Sequence, residues 1–183
     1  MGHTEFLLGN DASRPSSLPE VINALGDLSV DFTAFWQSGN LQSAGNVSNR
    51  AMELFDFVSN ELLREQVERR TLETYDGSAF NLAMNIVSAR GVSGVTLDQQ
   101  RVVLGTGPGT GALPAGLNVV NIGLDRLLNK IKHRNPRLVN FRIQNDRHLF
   151  VICPERTQGG PEGIYEFDVG TFCVNCMQAA RSL

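Results

Sequence analysis

The residues best suited to chemistry fall into three groups: a glycine run, a pair of cysteines and a set of basic side chains. After Val102, Val103 and Leu104 come Gly105, Gly107, Gly109 and Gly111, alternating with Thr106, Pro108 and Thr110. Glycines at that spacing let backbone amides approach a phosphate, as at the start of a dinucleotide-binding helix. The surroundings differ from that unit: helical patterns precede the run, a hairpin pattern follows it, and no Gly-Lys-Ser/Thr closes it. A phosphate cradle and a plain flexible loop are the two readings of Gly105, Gly107, Gly109 and Gly111.

Cys173 and Cys176 have the two-residue spacing shared by zinc knuckles and redox dithiols, in which both sulfurs can face one point. Zinc would also need Cys153 and either His148 or His133, and nothing in their spacing requires it. A redox dithiol would follow a strand early in a βαβ unit, whereas this pair ends the chain. Two buried or half-buried thiols of no special reactivity are therefore expected, with no metal site and no cofactor. The basic set consists of Arg90 and Arg101, which flank the stretch 91–116, and Lys130, Lys132 and Arg134 at the end of the next helical pattern. Converging in space, these five would line a groove for nucleic-acid phosphates. The competing reading is that cations collect at helix C-termini because they complement the helix dipole.

Nucleophile and base pairs are poorly supplied. His3, His133 and His148 have no Gly-x-Ser-x-Gly or His-Glu-x-x-His context, and the aspartates are dispersed as single residues of the kind that cap helices. No catalytic residue is assigned, and the chain leans away from being an enzyme.

Composition narrows the classes further. Net charge is −3, against a protein that wraps nucleic acid through bulk positive charge, although a local basic patch survives an acidic total. Lys130 and Lys132 are the only lysines beside fourteen arginines, a bias with either phosphate recognition or genome composition behind it. No apolar run approaches the ~20 residues of a membrane-spanning helix. Met1, Gly2, His3 and Thr4 do not open a secretory signal, and Phe6 breaks the myristoylation pattern. A cytoplasmic protein with reduced thiols and no membrane contact is expected.

The elements that must position these groups are read from periodicity. A single domain is expected over 1–183, with an arm over 1–16, a helical core over 17–134 and a β-rich part over 137–183. Ser17 and Glu20 have capping-box spacing ahead of Leu18, Val21, Ile22, Leu25, Leu28 and Phe32, predicting the first helix. The second spans about 48–70; Glu61, Arg64, Glu65, Glu68, Arg69 and Arg70 form its solvated face. The third starts at Asp76-Gly77-Ser78 and ends near Arg90-Gly91, and the fourth spans about 117–133. Between the last two lies a long loop, 91–116, with one strand at 101–104. Strands at 138–143 and 148–152 form a hairpin around Gln144, Asn145, Asp146 and Arg147, followed by a strand at 164–169. The tail is open between strand and helix. The fold class expected is α+β, mainly α: a four-helix core, a long loop between helices 3 and 4, and a small C-terminal antiparallel β element.

Four helices in that order, the loop 91–116, Thr96-Leu97-Asp98 followed by Arg101, and the arginine-rich, lysine-poor composition together resemble the coat proteins of rod-shaped plant viruses of the tobamovirus type. The resemblance implies a self-assembling structural protein that binds single-stranded RNA, with itself and RNA as partners and with Arg90 and Arg101 on the phosphates. Two alternatives stand beside it: a protein or enzyme that takes a small phosphate ligand on the glycine run, and a protein-interaction module.

Overall fold

The computed structural model describes residues 17–105, 107–156 and 160–183. The arm over 1–16 lies outside them. Helix α1 (Leu18–Gln37) begins at Ser17, whose hydroxyl accepts from the Glu20 amide while the Glu20 carboxylate accepts from the Ser17 amide. It buries Val21, Ile22, Leu25, Leu28 and Phe32 on one stripe. After a turn at Gly39, helix α2 (Leu41–Arg69) starts well ahead of the expected position, because Asn40 caps it by accepting from the Ser43 amide. Its charged end is the predicted solvated face, with Arg64 paired to Glu61, Glu65 and Glu68.

Beyond α2 the architecture departs from the expected four-helix core. The third helix, α3 (Ala79–Met84), is a short segment, and the residues expected to continue it form strand β1 (Val87–Ser93). The strand expected at 101–104 is instead the end of helix α4 (Leu97–Arg101) and a 3-10 turn (Val102–Leu104). The expected fourth helix opens with strand β2 (Val120–Gly123) and continues as α5 (Leu124–Lys132). Strands β3 (Arg134–Gln144), β4 (Arg147–Pro154) and β5 (Gly163–Asp168) follow, and the tail is helix α6 (Val169–Arg181).

The five strands form one antiparallel sheet in the order β2-β1-β5-β4-β3. It is a central layer rather than a small C-terminal element, and two of its strands come from the stretch expected to be helical core. The physical reason is register: Ala89 and Val92 point to opposite faces of β1 and both are buried, a two-sided pattern that helical periodicity also fits.

Helices cover one face. Phe150, Ile152, Tyr165 and Phe167 of the sheet pack there with Phe55, Leu62, Leu127 and Phe172 of the helices in the main core. On the other face, Val92, Ile164, Val151, Cys153 and Leu138 form a second core with Val95 and Val103 of the β1–β2 connection. Buried Gln100 of α4 fastens that connection, its amide donating to the carbonyls of Pro154 (3.0 Å) and Gly163 (2.9 Å). The connection covers only half of this face and leaves the other half open. Among the described residues, no helix is long and apolar enough to cross a membrane.

Candidate functional site

Alternation along β5 puts Tyr165 and Phe167 into the helix-covered core, and so turns Glu166 and Asp168 to the opposite face. The pairing register then sets Arg90 of β1 beside Glu166, with Asn121 of β2 on its other side, and Arg142 of β3 beside Leu149. These residues and Arg147 line a groove of about 440 Å³ on the open half of the sheet.

Two carboxylates hold the arginines in place. Glu166, with only 3 % of its side chain exposed, accepts from Arg90 Nε (2.9 Å) and Nη2 (2.7 Å) on one oxygen and from Arg142 Nη1 on the other. Burial alone would push its carboxyl up; the hydrogen bonds from Arg142 and Arg90 and their charges hold it below the ordinary carboxylate value. Asp168 caps α6 on Thr171 and accepts from Arg147 Nε at 3.1 Å. Burial opposes ionisation there too, and the Thr171 hydrogen bonds together with Arg147 lower its value. Among the described residues, Arg90 Nη1, Arg142 Nη2 and both Nη atoms of Arg147 make no hydrogen bond. Three guanidinium charges against two carboxylates leave one positive charge in the groove. Guanidinium donors suit phosphate and carboxylate oxygens, and Arg147 keeps both Nη atoms for a bidentate contact.

Of the five cations expected to converge, only Arg90 lies in this groove. Arg101 ends α4 and pairs with Asp98 at 3.1 Å. Lys130 pairs with Glu162, its Nζ 5.5 Å from the Tyr165 ring centre. Lys132 is exposed at the end of α5. Arg134 grips Asp56 of α2 through Nη1 (2.5 Å) and Nη2 (3.0 Å). Sequence reasoning missed Arg142, Arg147, Glu166 and Asp168. The period-2 pattern of their strands is readable in the sequence, and it gives their faces once the register is known.

Within the glycine run, Gly107, Gly109 and Gly111 are pinned to the edge of the sheet, and Thr106 lies outside the described residues. The side-chain amide of Asn140 donates to the carbonyls of Val103 (2.8 Å), Leu104 (3.2 Å) and Gly107 (3.2 Å), while its oxygen accepts from the Gly109 amide (3.1 Å). The other glycine amides are engaged as well: Gly105 with the Val102 carbonyl, Gly107 with Leu104 and Gly111 with Phe141. All four amides of Gly105, Gly107, Gly109 and Gly111 are therefore engaged within the protein. Glycine is needed at Gly109 and Gly111 for close approach, since a Cβ would stand 2.8 Å from the Trp36 ring and 2.8 Å from Asn140 Cβ, respectively.

The cysteines are core residues. All three are free and buried, and burial pushes Cys153 and Cys173 up to about 12 and Cys176 well above its ordinary value. Among the described residues, no cluster of His, Cys, Asp and Glu is arranged to hold a metal ion. His148 sits in the aromatic core, its Nδ1 2.9 Å from Ser29 Oγ and its ring stacked 4.7 Å from Phe32. Comparison with protein-family models, with curated proteins and with solved structures gives no match.

Proposed function

We propose that the chain is a binding protein for phosphate-bearing ligands, with single-stranded RNA as the ligand tested first, and that the sheet groove is the contact surface. The observation that carries this reading is the orientation of Arg90, Arg142 and Arg147 by two ionised carboxylates, with guanidinium nitrogens left over. Arg90 and Arg147 keep 55 % and 60 % of their side chains exposed, so those donors reach solvent. A groove lined by guanidinium groups supplies sequence-independent affinity for a phosphodiester strand. Self-association in the manner of a coat protein would run through β2, a four-residue edge strand whose outer side pairs with no strand among the described residues. Three free, buried thiols fit the reducing conditions of the cytoplasm.

The test is fluorescence anisotropy with a labelled oligouridylate over a salt series, comparing the native chain with Arg90→Gln/Arg147→Gln. The expected result is at least tenfold weaker binding by the variant and a salt slope smaller by roughly 0.7 for each phosphate that the variant leaves unneutralised. Unchanged affinity and slope would remove the groove from consideration. Thermal stabilisation by uridine monophosphate without affinity for the strand would transfer the groove to small phosphorylated ligands.

A further inference from the structure

A second cavity opens on the helix-covered side, where the first half of α2, the edge strand β3 and the glycine coil meet. It measures about 540 Å³, within the range of small-molecule pockets. Met52, Leu104, Pro108, Val139, Phe141 and Phe150 make most of its wall apolar. Behind it lies a chamber of about 30 Å³ that reaches Phe32 and His148. Ser48, Met52, Phe141 and Phe150 line both spaces, so the cavity narrows inward between aromatic rings.

The charge of the wall decides what fits. Arg134 is the one charged side chain among the lining residues, and its charge is balanced by Asp56, which accepts from both Nη groups and leaves only the buried Nε without a partner. A carboxylate or phosphate would leave water there without a counter-charge, at a cost that grows with burial. The four glycine amides of the run at the rim are not on offer to an anion, since each bonds within the protein. What remains on offer is aromatic surface, with Ser48, Asn49 and the Nε of Arg134 for hydrogen bonds.

We propose that this cavity binds a neutral small molecule built on an aromatic ring system with one or two hydroxyl or amide groups. Flat rings gain area burial and offset or edge-on contact with Phe141 and Phe150, and the polar groups meet the amide and hydroxyl side chains. The site is separate from the arginine groove and stands or falls independently of it.

Trp36 gives a direct readout. It is the only tryptophan in the chain, and its ring packs edge-on against Phe141 at 4.8 Å between centres. Titration with 2-naphthamide is expected to change Trp36 fluorescence saturably, and 2-naphthoate, the charged counterpart, to bind at least tenfold more weakly. Ser48→Phe, at a half-exposed helix position, and Met52→Phe are each expected to weaken 2-naphthamide at least tenfold while far-UV circular dichroism stays native. Absence of saturation below ~1 mM 2-naphthamide, equal binding of the naphthoate, or a folded Ser48→Phe chain that binds as the native one does would each overturn the proposal.

Discussion

At the scale of single residues, two buried polar side chains, Asn140 and Glu166, do the organising that no sequence motif announces. Asn140 satisfies carbonyls ahead of and within the glycine run and fixes a segment that composition alone suggests is free. Glu166 turns two arginines on different strands into one site. His148 carries the clearest pH dependence. Burial lowers it from 6.5 to about 4, with Asp168 opposing the shift. Between those values the unfolded chain takes up a proton that the folded one refuses. The contribution is complete above pH 6.5 and is lost as pH falls toward 4, amounting to at most roughly 3 kcal/mol. Urea denaturation at pH 7 and pH 4.5 should show this loss, and His148→Phe should flatten that part of the profile. An unchanged slope in the variant would assign the acid sensitivity to other groups.

At the scale of elements, the β3–β4 hairpin and helices α1 and α2 follow their local sequence, while α3, β1 and β2 do not. The hairpin turn is Asn145-Asp146, with φ of 51° and 59°. That geometry suits a two-residue turn whose twist matches the strands. Asp146 holds the left-handed conformation at a steric cost that glycine avoids. Asp146→Gly should therefore raise stability by roughly 0.5–1 kcal/mol in chemical denaturation. A drop in stability would mean that the aspartate side chain contributes more to the turn than its backbone costs. Residues 87–93 bury Ala89 on one face and Val92 on the other, so that period stops separating strand from helix, and 120–123 is an edge strand of four residues, too short to show a period.

At the scale of the whole molecule, the sheet joins the two parts of the chain. β1 lies between β2 and β5, so its pairing on the β5 side, with that of Val92 to Ile164, depends on residues 70 or more positions later. Gln100 likewise reaches Pro154 and Gly163. A chain cut after residue 136 keeps every residue of the expected helical core, yet it lacks β5 and the surface that α6 and the sheet present to α1 and α2. It should unfold without a cooperative transition. A sharp thermal transition with native-like near-UV circular dichroism in that fragment would restore an independent helical core.

The sequence by itself determined what short-range physics decides: the capping box that starts α1, the apolar stripe that follows it, the paired charges at the end of α2, and the hairpin from alternation and turn chemistry. Each rests on residues within a few positions of one another. The tertiary structure alone decided that 87–93 is a strand, that the Gly109 and Gly111 amides bond to Asn140 and the Phe141 carbonyl, and that Arg90, Arg142 and Arg147 share a groove while Lys130 and Arg134 pair elsewhere. Those outcomes depend on strand register between distant segments. A shift of one residue along β1 would send Arg90 into the helix-covered core, and the free energy that forbids it comes from the packing of the whole sheet rather than from any local preference.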